Sequence, residues 1–244
     1  MKKKSAAVII VLLLLWIVLA ARINNEFMLP LPFDVFKQML VQLTSPVFYQ
    51  AILMSLYRSL SGLAIAYVCA LLLGLLCGYY RWLAELFAPV YLILKSIPNI
   101  SYILIALIWT NNETAVRLIC FMILFPMIYA NVLSGIKSID QDLIDVARVY
   151  PESMPNLLFR VYLPLIEPYL KAALSTGAGL AFKVGVMAEI IGSVSPGIGR
   201  QLQICRINMD MSGLFAWTLW IILLLAFTEF ISKKIMKYLE KREI

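Results

Sequence analysis

Lys183, Lys95 with its neighbour Asn99, and Arg58 all fall within or beside long apolar runs, and Glu189 follows Lys183 on the same run. A charge at membrane depth is costly unless it pairs or lines a wet cavity, so each of these is first read as a functional candidate. If Arg58, Lys95 and Lys183 converge, they form a cationic route suited to a small anion, or to a carboxylated or sulfonated metabolite. Covalent chemistry is a poorer fit. The chain has no histidine, which removes the commonest general base and metal ligand. No Ser/Lys or paired-Asp constellation points to an intramembrane protease or lipid phosphatase. Cys69, Cys77, Cys120 and Cys205 are scattered without ligand spacing and read as small packing residues, so no metal site is expected. The glycine-rich stretch GAGLAFKVG, residues 177–185, lacks the Gly-Lys-Ser/Thr ending of a phosphate-binding loop.

The elements that must hold these residues are membrane helices. Of the 244 residues, 62% are hydrophobic and 14% charged, and the mean hydropathy is +0.89. Apolar runs of about 20 residues match a hydrocarbon core of about 30 Å, and helices pair their own backbone groups there. Such runs are expected from about 51 to 80, 83 to 109, 115 to 136, 164 to 191 and 214 to 231. The N-terminal segment has the basic start and small residues (Ala20, Ala21) of a signal peptide, but its apolar run is long for one, and it is expected to remain as a first span. Six crossings result. Lys2, Lys3, Lys4, Arg81, Lys137, Arg148, Arg160, Lys233, Lys234, Lys237, Lys241 and Arg242 then share one side, against Arg22, Lys37, Arg117, Arg200 and Arg206 on the other. The richer side is cytoplasmic, which places both termini there.

Ala66, Ala70, Gly74 and Gly78 recur every four residues, as do Ala173, Gly177, Ala181 and Gly185. Stripes of small residues allow close helix packing in lipid and are read as structural. Glu189 continues the second stripe and is expected to find a donor at a packed face. Lys183 lies about 200° around the helix from that stripe and points away from it. Pro98 beside Lys95 and Asn99 is expected to break the third crossing, and Pro126 is a second candidate break.

The largest predicted cytoplasmic loop holds DVARVYPESMPNLLFRVYLP, residues 145–164. Ser138 and Gln141 fit a capping box for a short helix ahead of Pro151. Leu157, Leu158 and Val161 share an apolar face in a second, with Asn156 and Arg160 off it. Pro164 suits the first turn of the next span. At these residues the sequence resembles the permease subunits of bacterial binding-protein-dependent ABC importers. Their signature is Glu-Ala-Ala, three residues, Gly, nine residues, then Ile-x-Leu-Pro. Asp145, Val146 and Ala147 stand at its first three places, with Arg148 next. Pro151 replaces the glycine, and Val161, Leu163 and Pro164 close it.

Resemblance to the nitrate, sulfonate and taurine branch runs from about Tyr49 to Ala216, through SLYRSLSG (55–62), GLLCG (74–78), LKSIPNISYILIALIW (94–109), FPMIYANVLSGIKSID (125–140), MAEIIG (187–192) and GIGRQLQ (197–203). It implies an all-α membrane protein of type I ABC-importer permease architecture. Residues 1–50 would form the first span and an external segment, 51–232 the core permease domain with a coupling loop at 138–164, and 233–244 a basic cytoplasmic tail. It also implies alternating access as a homodimer in a bacterial cytoplasmic membrane, with two cytoplasmic ATPases that bind ATP and Mg, and an external solute-binding protein. This chain would bind no cofactor and no nucleic acid. Glu189 matches a glutamate recurrent in the branch, with a structural role expected. Pro151 cannot supply the positive φ of a glycine at a helix end, so the loop's docking geometry is expected to differ. The runner-up is a secondary transporter driven by an ion gradient. It would need paired broken helices and a carboxylate relay, whereas Glu189 is the one deep acid and Glu229 lies nearer a helix end.

Overall fold

The computed structural model describes residues 2–140, 142–143 and 153–240, and among them the regular structure is entirely helical. The helices are α1 (Lys2–Ile23), α2 (Pro32–Leu43), α3 (Pro46–Tyr79), α4 (Arg81–Ser96), α5 (Asn99–Trp109), α6 (Asn112–Lys137), α7 (Met154–Leu157), α8 (Leu163–Leu165), α9 (Glu167–Gly192), α10 (Ile198–Ile207) and α11 (Met211–Glu240), with a π-helical turn at Leu158–Tyr162. Four stretches are long and apolar enough to cross a membrane: Pro46–Tyr79, Asn112–Lys137, Glu167–Gly192 and Met211–Ile231. The third expected crossing is instead a bent pair, α4 and α5, at 97° to each other, and α1 contributes the shorter apolar stretch Ala7–Ile23. Of the six expected crossings, four are single long helices.

Proline explains the bend. Pro98 pushes Ile97 out of the helical region, to φ −70° and ψ 128°, through the clash of its ring with the preceding residue. Pro126, by contrast, lies inside α6 without breaking it, which corrects the second expected break. It deprives the ladder of one donor only, and a helix packed on its neighbours tolerates that loss. Ser138 is also reassigned. Its αR backbone makes it the C-cap of α6, and its Oγ donates back to the Gly135 carbonyl at 2.7 Å. The side chain that accepts from a following amide is that of Asp140, whose Oδ1 takes the N–H of Asp142 at 3.1 Å, as an N-cap does.

The chain divides into two compact units, Met1–Ser55 with Glu189–Ala226, and Leu56–Ala188 with Phe227–Ile244. The first has a core of Val35, Met39 and Ala216, covered by Trp16, Phe215, Leu219 and Trp220. Phe48 adds ring contacts to Trp217 and Trp220.

The second unit is built on its small-residue stripes. A methyl added at Gly74 would fall 2.6 Å from Val132, Gly78 is closed off by Ile136, Gly177 meets Leu63 at 3.1 Å, and Gly185 faces Ser59. Cys120 donates to the Ala181 carbonyl at 3.6 Å, so α3, α6 and α9 meet through their smallest residues. Close approach of this kind is what binds helices when lipid offers no hydrophobic drive. Cys77, Cys120 and Cys205 are buried as packing residues should be, while Cys69 is exposed. Burial, with the neighbouring Asp210 carboxylate second, pushes the Cys205 thiol up to about 11.

Candidate functional site

The break between α4 and α5 opens onto a cavity of about 340 Å³. Tyr91, Leu94 and Lys95 reach it from α4, Asn99 and Tyr102 from α5, and Met122, Pro126 and Asn131 from α6. Some of its polar groups are already engaged. The Tyr102 hydroxyl donates to the Leu94 carbonyl at 2.5 Å, and the Asn131 amide donates to the Met127 carbonyl at 2.9 Å. The Lys95 ammonium has no acidic partner among the described residues. It lies 6.0 Å from the centroid of the Tyr91 ring, within cation–π range, and in the last turn of α4, where the helix dipole favours a cation. Among the described residues, no acidic side chain lines the cavity. The N-cap of α5, Pro98, makes no side-chain capping bond, so the first amides of that helix are donors without helical partners. Lys95 and Asn99, the first residue of α5, therefore line one cavity beside a helix N-terminus, the chemistry of an anion contact.

Of the sequence-derived pathway candidates, Lys95 and Asn99 line this cavity, while Arg58 and Lys183 do not. Arg58 is completely buried, with Nη2 donating to Glu113 Oε1 at 2.5 Å. Glu113 Oε2 stands 3.7 Å from Arg117, whose guanidinium lies 4.9 Å above the Tyr57 ring. Lys183 is exposed on α9, facing away from the buried Ala181 and Gly185 as the periodicity required. It forms no ion pair with an acid among the described residues, Glu113 being held by the two arginines.

Glu189 belongs to a different arrangement. It is fully buried and accepts from the Ser55 hydroxyl at 2.6 Å and from the Gly199 amide at 3.1 Å. Ser55 in turn accepts from the Ile198 amide at 2.9 Å. Ile198 and Gly199 open α10, so a carboxylate and a hydroxyl satisfy the orphan donors of a helix N-terminus. The glycines are there for space. A methyl on Gly199 would fall 2.5 Å from Glu189 Cβ and 2.6 Å from the Ile190 nitrogen, and one on Gly197 would fall 2.6 Å from a carboxylate oxygen. Ser55 and Asn131 were not singled out from the sequence, although Ser55 and Gly199 stand in the quoted segments SLYRSLSG and GIGRQLQ.

In the predicted coupling loop, Asp145, Val146, Ala147, Arg148 and Pro151 lie outside the described residues. From Met154 to Leu165 the chain is helical: Leu158 and Tyr162 are buried, Val161 and Leu163 are half-buried, and Arg160 and Pro164 are exposed. Leu157, expected beside Leu158, is half-buried, and the π-turn at 158–162 brings Tyr162 onto the buried face in addition. Pro164 falls in the first turn of α8, and the span itself starts at Glu167.

Residues 70–244 match the family model described as binding-protein-dependent transport system inner membrane component. A putative ABC transporter permease of Methanocaldococcus jannaschii is 30% identical over 189 residues, 75% of this chain and 71% of that one. The putative aliphatic sulfonates transport permease of Bacillus subtilis is 24% identical over 233 residues, 91% of this chain and 83% of the relative. The bicarbonate transport system permease of Synechococcus elongatus is 32% identical over 154 residues, 63% of this chain and 55% of the relative. In structure, the chain is similar to the MetNI methionine ABC transporter in an inward-facing conformation. The TM-score is 0.70 at 17% identity, over 80% of this chain and 98% of the other.

Proposed function

Since the chain belongs to the family of binding-protein-dependent transport system inner membrane components, and is the transmembrane permease subunit of an ABC importer, we propose that it carries a small anion past the broken helix at Pro98. The observation that carries this reading is the cavity beside the 97° break, lined by a lysine and an asparagine beside a helix N-terminus, with no acid among its described lining residues. A cation in such a place is favourable when the site is wet or an anion occupies it. Two of the relatives are named for bicarbonate and for aliphatic sulfonates, both anions, which supports the charge of the solute.

The chain works as a homodimer with two cytoplasmic ATPases and an external solute-binding protein. ATP and Mg are bound by the ATPases, and this chain catalyses no covalent step. Both termini face the cytoplasm, as the distribution of Lys and Arg requires. Residues 138–164 meet the ATPase, with Asp145 and Arg148 at the contact, and ATP-driven closure there reorients the helices around the route. Lys95 and Asn99 hold the anion in passing. Arg58 stays with Glu113, and Lys183 lines the route only where a second copy or water faces it. The test is uptake of candidate anions by the reconstituted transporter. Lys95→Met is expected to cut uptake at least tenfold while ATPase binding is retained, and Lys95→Arg to keep a measurable part of it. Unchanged uptake in Lys95→Met would overturn the assignment.

A further inference from the structure

α2 is a helix with three faces. Val35, Met39 and Gln42, spaced i, i+4 and i+7, are buried in the core of the first unit. Phe33, Phe36 and Leu40, spaced i, i+3 and i+7, are apolar and exposed, at 77%, 49% and 67%. Asp34, Lys37 and Gln38 lie on the remaining third of the circumference, with the exposed Val41 between them, Lys37 exposed and Asp34 and Gln38 half-buried. A helix of 12 residues is about 18 Å long and cannot span a hydrocarbon core of about 30 Å. A helix at home in water would have no reason to expose two phenylalanines and a leucine in one stripe, away from the sector that holds its charged side chains.

The depth of α2 can be read from its neighbours. Its buried face packs on Trp16, Ala216 and Trp220. Trp16 is seven residues from the end of α1 at Ile23, and Ala216 and Trp220 are five and nine residues from the start of α11 at Met211. At about 1.5 Å per residue, both counts put α2 about 10 Å inside the helix ends. Those ends carry polar residues, Asn24, Asn25 and Glu26 after α1, and Asp210 before α11. This is the depth at which an amphipathic helix lies between headgroups and acyl chains. The Trp16 indole also donates to the Pro30 carbonyl at 3.1 Å, tying the lead-in of α2 to the spanning helix. Phe27 and Met28, both strongly exposed, extend the apolar surface.

We infer that α2 is an interfacial helix of the membrane. Phe33, Phe36 and Leu40 lie in the acyl chains of one leaflet, Asp34 and Lys37 face the headgroups, and Val35 and Met39 clamp α1 to α11. Its occupant is lipid, continuous with the lipid-facing surface of α1, where Val8 to Leu12 are more than half exposed.

The experiment places a nitroxide at positions 33, 36, 40, 34 and 37 in turn, on the full chain with its four cysteines replaced. The labelled chain is reconstituted with its ATPase in liposomes, and retained co-purification with the ATPase shows that each one is folded. Oxygen should relax labels at 33, 36 and 40 at least threefold more effectively than a water-soluble nickel chelate does, with the order reversed at 34 and 37. Equal access of the chelate to all five positions would overturn the inference, since α2 would then lie in water. Protection of 33, 36 and 40 from both reagents would also overturn it, since a second copy or another protein would then cover the stripe.

Discussion

Glu189 and Lys95 are both charged residues in apolar sequence, and the structure treats them in opposite ways. Glu189 is fully enclosed, held by a hydroxyl and a helix-terminal amide, with two glycines clearing the space around it. Lys95 stands at a helix break beside a cavity, with an aromatic ring and, among the described residues, no acid for company. The companions decide the outcome. Glycine next to a buried carboxylate lets backbone donors approach, which closes the site. Proline next to a lysine opens the helix and leaves donors and space unused. A closed group should matter to folding and an open one to transport.

The sharpest way to break that contrast is Glu189→Ala. It removes the hydrogen bonds from the Ser55 hydroxyl and the Gly199 amide, each worth about 1.5–3 kcal/mol where the acceptor is a carboxylate, and strands those two donors. We expect a loss of at least about 3 kcal/mol, seen as collapse of the monodisperse peak when heated samples are run on size-exclusion chromatography. Glu189→Gln, which keeps a carbonyl acceptor, should recover part of it. An unaltered midpoint in Glu189→Ala would put Glu189 in the same class as Lys95.

Gly199→Ala and Gly197→Ala come next and separate two kinds of crowding. Overpacking costs about 1–3 kcal/mol, but the obstacles differ. The methyl at Gly199 meets the backbone nitrogen of Ile190 as well as Glu189 Cβ, whereas the three atoms nearest a methyl at Gly197 all belong to the carboxylate end of Glu189. Adding Glu189→Ala should therefore abolish the cost of Gly197→Ala and leave most of the cost of Gly199→Ala. A double-mutant cycle on the thermal midpoint reads both couplings.

Much of this was legible in advance. Apolar run length sufficed for the helices α3, α6, α9 and α11, and Pro98 for the break. The stripes of Gly and Ala predicted which faces pack, because an absent side chain is itself a geometric instruction. Pairing was not legible. Ser55 reaches Glu189 across 134 positions, and Arg58 reaches Glu113 across 55, distances that no local pattern encodes. α2 was read only as part of an external segment, since three stripes on one short helix blur the two-faced periodicity that marks an amphipathic element. The Ser138 to Gln141 pattern misled for a similar reason. It has the composition of a helix start, but α6 runs up to Lys137, and a hydroxyl at the end of a helix bonds backward.

Lys95→Met sharpens the comparison from the other side. Its ammonium makes no ion pair with a described residue, and methionine retains a straight chain beside Tyr91. The thermal midpoint should move by less than the equivalent of about 0.5 kcal/mol, the usual range for sites without such features, even as uptake falls. A large loss of stability would mean that Lys95 belongs with Glu189 among the groups that hold the fold.

Ser59 gives a test whose expected sign is opposite to that of Glu189. It is fully buried, it faces Gly185 across the α3 and α9 contact, and its hydroxyl has no hydrogen-bond partner among the described residues. Burying an unpaired hydroxyl costs about 1–3 kcal/mol in proteins, while removing its oxygen gives back some packing. Ser59→Ala should therefore leave the thermal midpoint unchanged or raise it by the equivalent of up to about 1 kcal/mol. Paired polar groups are needed for the fold and this one is not, so a loss of uptake at unchanged stability would mean that the hydroxyl serves the moving transporter. Ser59 would then join Lys95 on the open side of the comparison, although it is as deeply buried as Glu189.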